Sequence, residues 1–358
     1  MKLDRSLIPA LCITCIFMIP HAVQTCTSFC LHNDDEVVFG KNYDWSLDDG
    51  ILIVNKRNMS KTAMGEDHPA HWTSTYGSVT FNQYGRELPL GGMNEAGLVI
   101  ETMWLTETEY PVADSRPAVS NLQWVQYQLD NSSTVEEVIA SDTLVRIGPG
   151  SVAKTHYLVS DRSGSCASIE FVDGKLVYHK NGMMHVKTLT NSTYSESIQF
   201  LHQHKGFGGS LPIPQDAHSL GRFVRASDML KAYDSKNGES AVDYAFSILA
   251  SAAQGEWTQW SIVYDIRDLR IHFRTLGHPD VRYVDLDSLD FSCATEVRVV
   301  NLNVDLAGDI LQSLEDYATT VNLDLVLSTF GQTDFLKDVP EDVLQAIARY
   351  PESTTCTE

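Results

Sequence analysis

Basic residues are scarce in this chain of 358 residues: 26 Lys and Arg stand against 47 Asp and Glu, which gives a formal net charge of −21. A surface this acidic repels phosphate backbones and anionic lipid, so neither nucleic acid nor a membrane surface is expected as a partner. With 43% hydrophobic and 9% aromatic residues, the remaining composition is that of a globular protein. This excludes disordered and collagen-like chains, and the length suffices for one large domain or two modest ones.

Long hydrophobic runs are also rare, and only residues 1–25 resemble a segment that meets a membrane. Lys2 and Arg5 precede a mostly apolar stretch that Pro9 and Pro20 interrupt. Because this stretch is short and contains helix-breaking prolines, it favours a secretory signal peptide over an uncleaved membrane anchor. We therefore expect a secreted or periplasmic protein that has no membrane partner after signal cleavage.

The position of signal cleavage stays open between two peptide bonds. A cut after Thr25 makes Cys26 the first residue, whereas a cut after Ala22 leaves Val23, Gln24 and Thr25 in front of it. In either case the mature chain begins near Cys26.

The cysteine count is odd after removal of the signal peptide. Two of the seven cysteines, Cys12 and Cys15, lie in that segment, so five remain. An odd number in an exported protein leaves at least one thiol unpaired or bonded to another chain, and Cys26 is the candidate. Cys30, Cys166, Cys293 and Cys356 are then buried thiols or two disulfides, and the sequence does not choose among the three pairings. A Cys293–Cys356 bond would tie down the C-terminal tail.

Hydrophobic alternation and helical periodicity predict an α+β fold. Short runs rich in Val, Ile, Phe and Thr predict strands at 26–32, 35–40, 51–55, 77–83, 97–104, 154–160, 166–172, 175–179, 184–189, 259–265, 269–274 and 281–285. Helices are predicted at 120–130, 133–141, 194–204, 220–234 and 241–253, the second of them with a capping-box spelling at Ser133-Thr134-Val135-Glu136. Because strands and helices come in blocks, the pattern favours antiparallel sheets covered by helices over a doubly wound parallel sheet.

The last part of the chain differs in character from the rest. Residues 294–358 are richer in Asp and Leu, and helices are predicted there at 308–318 and 340–349. We divide the chain into a signal peptide (1–25), one domain (26–293) and a C-terminal extension (294–358) that packs on that domain or follows it. The sequence does not indicate a function for the extension.

Several common catalytic motifs are absent from the sequence. It contains no Gly-x-Ser-x-Gly, no P-loop and no dinucleotide-binding fingerprint. Two pairs of histidines, at 68 and 71 and at 202 and 204, invite a metal site, but neither pair belongs to a full ligand set. Neither a metal nor an organic cofactor is therefore expected.

A cysteine at the start of a processed chain carries two groups that an internal cysteine lacks together, a thiol and a free α-amine. The amine has a reference pKa of about 7.7 to 8.0, so part of it is neutral near pH 7 and can accept the thiol proton. Cys26 would then supply both nucleophile and base. A structural thiol or a lipid-modified cysteine would look similar, although Thr25 is not the small residue that a lipoprotein site prefers.

Downstream of Cys26, five sequence blocks occur in the order and spacing of one enzyme family. They are Cys26-Thr27-Ser28-Phe29, Gly40-Lys41-Asn42-Tyr43-Asp44-Trp45, Met93-Asn94-Glu95-Ala96-Gly97-Leu98, Leu189-Thr190-Asn191-Ser192 and Arg222-Phe223-Val224-Arg225-Ala226-Ser227. In these blocks the chain resembles the choloylglycine hydrolases, the family of bile salt hydrolases and penicillin V acylases. It is most similar to the penicillin V acylase-like branch of Gram-negative bacteria, through residues 72–79 and 103–111.

The resemblance implies a fold and a reaction. The fold is a four-layer αββα sandwich of antiparallel sheets, as in N-terminal nucleophile hydrolases, and the domain at 26–293 is then the hydrolase domain. The reaction is hydrolysis of a linear amide through an acyl-enzyme on Cys26, with a small-molecule N-acyl amide as the partner. Because the family often forms tetramers, a homotetramer is a further expectation.

The resemblance also assigns roles to residues beyond Cys26. Asp44 would fix the α-amine and stabilise its charged form, and Arg222 would lower the thiol pKa and steady negative charge. The side-chain NH₂ of Asn191 and the backbone N–H of Trp104 would donate to the oxyanion. Bile salt hydrolases have Asn where this chain has Trp104, which favours an apolar acyl pocket.

Lys41 is the clearest departure from the family pattern. The family usually has arginine next to the nucleophile at this position. Lysine keeps the positive charge but lacks the planar guanidinium group of arginine. We expect an exported cysteine amidase whose substrate is an N-acyl amide such as penicillin V or an N-acyl homoserine lactone. The alternatives are a bile salt hydrolase of the same family, an impaired member that acts as a binding protein, or a thiol hydrolase that uses Cys30 and a histidine.

Overall fold

The computed structural model describes residues 25–33, 35–148, 151–233 and 238–357. The predicted signal peptide, apart from Thr25, lies outside these residues. The strands are β1 (Thr25–His32), β2 (Val37–Asp44), β3 (Ile51–Asn55), β4 (Met59–Thr62), β5 (His71–Thr73), β6 (Ser78–Asn82), β7 (Gly91–Asn94), β8 (Val99–Trp104), β9 (Ala118–Val119), β10 (Arg146–Ile147), β11 (Thr155–Ser160), β12 (Cys166–Val172), β13 (Lys175–Lys180), β14 (Thr188–Leu189), β15 (Thr258–Asp265), β16 (Arg270–Thr275), β17 (Arg282–Asp285), β18 (Arg298–Asn301), β19 (Gly308–Asp309), β20 (Glu315–Asp316) and β21 (Thr355–Cys356). The α-helices are α1 (Asn121–Asn131), α2 (Val135–Ala140), α3 (Tyr194–Leu201), α4 (Ser219–Ala232), α5 (Ala241–Ala252), α6 (Thr319–Gln332) and α7 (Glu341–Arg349).

Two large sheets form the centre of the described chain. The first has the strand order β14-β1-β2-β15-β16-β17-β19, and the second has the order β13-β12-β11-β8-β7-β6-β3-β18-β20. Neighbouring strands in both sheets run antiparallel, apart from the short parallel pair β17 and β19. Helices α4 and α5 pack on the first sheet, and α1 and α2 pack on the second. The fold is therefore α+β, a sandwich of antiparallel sheets between helical layers, as the resemblance implied.

Strand β1 shows how the sequence builds these layers. Its side chains alternate between the two faces of the sheet, and both faces are covered. Cys26 and Cys30 belong to the core between the sheets, whereas Phe29 and Leu31 pack among apolar residues of the helical layer. Burial on both faces of β1 therefore includes the small polar side chains of Thr27 and Ser28 as well as the apolar ones.

Most predicted elements of residues 26–285 are present, with their ends shifted by a few residues. The capping box of α2 lies one residue later than predicted, with Thr134 as the N-cap and Glu137 as its reciprocal partner. The strand expected at 184–189 is reduced to β14 at its end. The hydrophobic runs therefore predicted the presence of these elements more accurately than their first and last residues.

The predicted helix at 308–318 is wrong. Those residues form the short strands β19 and β20 at the edges of the two sheets, with Ile310 and Leu314 buried. Helix α6 follows directly and was missed, because more than half of its residues are Thr, Val, Asn, Asp, Ser or Gly, which have low helix propensity. Packing against α7 stabilises it, since burial outweighs propensity in most protein helices.

Two disulfides link distant parts of the described chain. Cys30–Cys166 joins β1 of the first sheet to β12 of the second, and Cys293–Cys356 joins the residue just before the C-terminal extension to β21. The Cys293–Cys356 pairing suggested by the sequence is confirmed. Cys26 is the free cysteine among the described residues, and it is buried.

No helix in the described ranges is both long and apolar enough to pass through a lipid bilayer.

Candidate active site

A cavity of about 760 Å³ lies beside Cys26. Cavities of roughly 300 to 1,000 Å³ commonly hold small-molecule ligands. The wall is mainly aromatic and aliphatic, and it draws on both sheets, on the start of α1 and on the C-terminal helices. Cys26, Asp44 and Trp104, three residues that the sequence predicted for the site, line this cavity together.

The pairing of β1 with β2 places the nucleophile candidate next to the aspartate. Cys26 lies opposite Tyr43, and Thr25 lies opposite Asp44. The hairpin thus brings Cys26 and Asp44 together although 18 positions separate them in the sequence. Cys26 is only 5% exposed, so its thiol lies in the protein interior at the edge of the cavity.

The surroundings of the Cys26 thiol act on its pKa in opposite directions. Burial raises the pKa of the thiol above its usual value, because the thiolate loses its hydration. The positive charges of Lys41 and Arg222 and a hydrogen bond from the backbone of Asp44 act to lower it. The negative charge of the Asp44 carboxylate also raises the pKa of the thiol, so the two cations only partly offset burial and this charge.

Arg222 lies on α4 and reaches into the first sheet from the helical layer. It is fully buried, and its Nη1 donates to the backbone oxygen of Cys26 at 2.5 Å and to Oγ1 of Thr27 at 2.6 Å. Its Nη2 donates to Oδ1 of Asn191 at 2.8 Å. The planar guanidinium thus fixes the main chain of Cys26 and the side chain of Asn191 at the same time.

Asn191 follows β14, the edge strand beside β1. Its Oδ1 accepts a hydrogen bond from the backbone nitrogen of Cys26 at 2.6 Å, and its Nδ2 donates to the backbone oxygen of Trp104 at 2.9 Å. The asparagine therefore connects Cys26, Arg222 and Trp104. Its own backbone nitrogen donates to Oγ of Ser219 at 2.9 Å, which fixes the loop to the first residue of α4.

Asp44 is almost completely buried behind Cys26. Oγ1 of Thr258 donates to one of its carboxylate oxygens at 2.6 Å, and Nε2 of Gln254 donates to the other at 2.7 Å. Burial raises the pKa of Asp44, and the charge of Arg222 together with these two hydrogen bonds lowers it again. The sequence did not single out Gln254 or Thr258, although Thr258 opens β15 directly opposite Asp44.

Lys41 lies on β2 and points away from solvent, with 1% of its surface exposed. Its Nζ donates to the backbone oxygen of Thr102 and lies 3.7 Å from Oε2 of Glu101. Glu101 also accepts a hydrogen bond from the hydroxyl of Tyr264. Burial raises the pKa of Glu101 to about 7, and the lysine charge and the tyrosine hydroxyl oppose this rise. Lys41 is thus one half of a buried ion pair behind the nucleophile.

Glu101 was missed by sequence reasoning. It comes from β8 of the second sheet, and Lys41 comes from β2 of the first, so their contact exists only once the sheets are stacked. The signal that could have found it is a charged residue within the apolar strand Val99–Trp104. A charge at such a position needs a partner.

The histidine pairs do not form a metal site. Nowhere in the part of the chain that the structure describes do three or more His, Cys, Asp or Glu side chains come together in a way that could hold a metal ion. His71 instead bonds to Thr62, and His204 bonds to a backbone oxygen of α3.

The model of the linear amide C–N hydrolases of the choloylglycine hydrolase family matches residues 26–299. The chain belongs to the choloylglycine hydrolase family. It is therefore a hydrolase that acts on linear amide C–N bonds.

Relatives place the chain within this family. It is 28% identical to penicillin V acylase of Pectobacterium atrosepticum, in an alignment that covers 81% of this chain and 89% of the relative. The structure of penicillin V acylase from Agrobacterium tumefaciens is similar with a TM-score of 0.73 and 29% identity, over 82% of this chain and 98% of that one. These two similarities support the penicillin V acylase-like branch of the choloylglycine hydrolases.

A more distant relative shares the fold. A variant of conjugated bile acid hydrolase from Clostridium perfringens has a TM-score of 0.65 and 19% identity, over 79% of this chain and 98% of that one. At this level of identity the similarity shows a shared fold.

Proposed function

We propose that the protein is an exported cysteine amidohydrolase that cleaves N-acyl amides through an acyl-enzyme on Cys26, after the chain has been cut between Thr25 and Cys26. One observation carries the proposal. The nitrogen of Cys26 lies 2.6 Å from Oδ1 of Asn191, beside a cavity that can hold a small molecule. Cleavage would turn this peptide nitrogen into an α-amine that lies within hydrogen-bond distance of Oδ1 of Asn191.

Arg222 keeps this arrangement rigid. Its guanidinium binds the backbone oxygen of Cys26 and Oδ1 of Asn191 together, so the nitrogen and the oxygen of the nucleophilic residue are both fixed. Held in this way, the amine of Cys26 would stay within reach of its own sulfur. A positioned base next to the nucleophile is what general base catalysis requires.

The first half of the reaction forms a thioester. The neutral α-amine takes the thiol proton, the sulfur attacks the acyl carbon, and the carbonyl π electrons move to the oxygen. When the tetrahedral intermediate collapses, the C–N bond breaks and the leaving amine takes the proton from the α-ammonium group. The acyl group is then bonded to the sulfur of Cys26, and the charge is balanced at each stage.

The developing oxyanion needs preorganised donors. Nδ2 of Asn191 and the backbone N–H of Trp104 are the candidates, and a hydrogen bond between the Asn191 amide and the Trp104 oxygen keeps the two residues adjacent. Asp44 pairs with Thr25, the neighbour of Cys26, and its carboxylate would stabilise the ammonium form that arises during the reaction. Water then attacks the thioester with the α-amine as base, which releases the acid and restores the thiol.

Export of the chain is supported by its disulfides. Cys30–Cys166 and Cys293–Cys356 require an oxidising compartment to persist, such as the cell exterior or the periplasm. The N-terminal segment with Lys2 and Arg5 before an apolar stretch is of the type that directs chains there.

The cavity favours an acyl group without many polar atoms. Trp45 and Trp104 are part of its lining, with their ring centroids 6.5 Å apart. A steroid with several hydroxyl groups would need polar partners in such a site, because unpaired hydroxyls are costly to bury. Substrates with an aromatic or fatty acyl group, such as penicillin V or an N-acyl homoserine lactone, fit this lining better than conjugated bile acids.

A substrate panel on the mature protein tests the proposal. Penicillin V, an N-acyl homoserine lactone and a glycine-conjugated bile acid are offered to the purified wild type and to Cys26→Ala. Intact mass should show a chain beginning at Cys26, a thiol-specific label should react at Cys26, and only the wild type should release acid. A bile acid as the preferred substrate would favour the bile salt hydrolase alternative, and an inert but correctly trimmed protein would favour a binding role.

A further inference from the structure

The C-terminal extension forms part of the cavity beside Cys26. Most of this extension lies beyond the family match, which ends at residue 299. We call its apolar lining residues the C-terminal wall; they are Phe330, Phe335, Leu336, Val343, Ala346 and Ile347. They come from α6, from α7 and from the connection between these helices.

The C-terminal wall is continuous with the site of the nucleophile. The ring of Phe335 lies against both tryptophans of the cavity, with ring centroids 5.7 Å from Trp104 and 6.5 Å from Trp45. Phe330 packs edge-on against Tyr84, another lining residue, at 5.7 Å. An acyl group bonded to Cys26 therefore shares one apolar space with the C-terminal wall.

Specific contacts hold the extension in this position. Oδ1 of Asn322 on α6 accepts from the backbone nitrogen of Arg86 at 2.7 Å, and its Nδ2 donates to the backbone oxygen of Ala348 on α7 at 2.8 Å. The Cys293–Cys356 disulfide closes the segment that contains both helices. Because both helices are tied to the hydrolase domain, their apolar side chains form a fixed wall.

The exposure of these side chains is unusual for a segment that is so well anchored. Phe335 is 38% exposed and Val343 is 43% exposed, although both are large apolar residues. Their exposed surface contributes to the cavity lining, and covering it with an apolar ligand would be favourable. Hydrocarbon is the chemistry that matches such a surface, since none of the six wall side chains carries a hydrogen-bonding group.

We propose that the C-terminal wall binds the distal part of a long unbranched acyl chain, and that this extension sets the acyl-length preference of the enzyme. The inference rests on the proposed amidase function, because the acyl group must be held next to Cys26. In every N-acyl substrate the acyl carbons nearest the amide would contact Trp45 and Trp104. Only longer acyl chains would reach α6 and α7. A fatty N-acyl amide is thus favoured over a phenoxyacetyl one.

A chain-length series tests the proposal. N-acyl homoserine lactones from butanoyl to tetradecanoyl are hydrolysed by the mature protein, and kcat/KM is measured for each. Each methylene that becomes buried should raise kcat/KM by about fourfold at most, until the wall is covered. Penicillin V serves as the aromatic reference and should be hydrolysed less efficiently than the dodecanoyl substrate.

Two tryptophan substitutions on α7 distinguish the effect of filling the cavity at the C-terminal wall from a general effect of tryptophan on the helix. Ala346→Trp places an indole in the cavity, whereas Gln345→Trp places it at an exposed neighbouring position that does not line the cavity. Ala346→Trp should lower kcat/KM for the dodecanoyl substrate on the order of 50-fold, the effect of about three displaced methylenes, and leave the butanoyl substrate within about twofold. Gln345→Trp should match the wild type at every length.

Binding measurements distinguish failure of this inference from failure of the amidase proposal. Dodecanoic and butanoic acids are titrated into Cys26→Ala protein with and without Ala346→Trp. Tight binding of only the longer acid, weakened by Ala346→Trp, supports the wall even if no substrate is hydrolysed. Cys26-dependent hydrolysis with a flat chain-length profile, or an equal loss at all lengths in Ala346→Trp, overturns the inference and leaves the amidase proposal intact.

Discussion

The guanidinium of Arg222 donates a hydrogen bond of 2.5 Å to the backbone oxygen of Cys26, from a helix that packs on the outer face of the first sheet. The same group bonds to Asn191, whose side chain accepts from the nitrogen of Cys26. One buried cation therefore fixes both main-chain polar atoms of the proposed nucleophile. This relationship makes substitution of Arg222 a direct test of how the nucleophile is positioned.

We predict that Arg222→Lys lowers kcat by about 100-fold, because a lysine cannot hold Cys26 and Asn191 at once. Arg225→Lys is the matched control, since Arg225 lies on the same helix and bonds only to backbone oxygens of residues 214, 216 and 251. It should lower the melting temperature without a comparable loss of kcat. Steady-state kinetics and thermal unfolding of both variants check this, and an equal kcat loss in the two would contradict a specific role for Arg222.

Asn191→Asp separates the two proposed roles of Asn191. The aspartate keeps an oxygen for the nitrogen of Cys26 but loses the NH₂ group that would stabilise the oxyanion. We expect normal trimming to Cys26 and a kcat reduced by about 100-fold or more, the usual effect of deleting one oxyanion donor. Intact mass and kinetics give the two readouts. Full activity in Asn191→Asp would remove the oxyanion role.

The pair of Lys41 and Glu101 is expected to be strongly coupled in stability. Lys41→Met leaves the buried carboxylate without its cation and should lower the free energy of unfolding by about 3 to 5 kcal/mol at pH 8. The double variant Lys41→Met, Glu101→Gln should recover part of that loss, since neither charge remains. Urea unfolding of the wild type, both single variants and the double variant forms a thermodynamic cycle. Additive effects would mean that the two groups do not interact.

The pH dependence of stability provides a separate test of Glu101. Its pKa is raised from an ordinary value of 4.5 to about 7 in the folded state. Between these values the folded chain binds a proton that the unfolded chain does not, so the free energy of unfolding falls as pH rises. The fall is about 1.4 kcal/mol per pH unit at most and ends above pH 7.

Glu101→Gln should lack this decrease, because glutamine does not titrate. Urea unfolding at pH 5, 6, 7 and 8 gives the free energy of unfolding at each pH. The decrease is the difference between the slopes of this free energy against pH in the wild type and in the variant. Parallel profiles over this range would show that Glu101 ionises normally. The matched control is Glu136→Gln, because Glu136 forms an exposed ion pair with Lys180. This substitution should not change the slope of the free energy of unfolding against pH above pH 5.

Local patterns were sufficient to predict the layers of the fold and the nucleophile candidate. The strands β1 and β2 and the helices α1, α4 and α5 follow from runs whose period matches the element. The proximity of Cys26 and Asp44 follows from a hairpin between neighbouring strands, which is a local feature. In contrast, the helix expected at 308–318 is wrong, because edge pairing with the two sheets overrides the helical spacing of its apolar residues.

Contacts between distant segments could not be predicted in the same way. Glu101 of the second sheet contacts Lys41 of the first. Gln254 and Thr258 donate hydrogen bonds to Asp44, although they are far from it in the sequence. The resemblance to the family suggested Asn191 and Arg222, but not that a single guanidinium joins them to Cys26. Such contacts depend on which faces of the elements are stacked together.

The sequence by itself determined most elements of residues 26–285, the odd cysteine and the family, since these depend on the order and period of residues along the chain. Only the tertiary structure decided that the C-terminal extension folds back to line the cavity beside Cys26. Its apolar residues could equally have packed among themselves, and nothing in their spacing specifies a partner. Their place is set by the Cys293–Cys356 bond and by burial against the hydrolase domain, which are interactions between residues far apart in the chain.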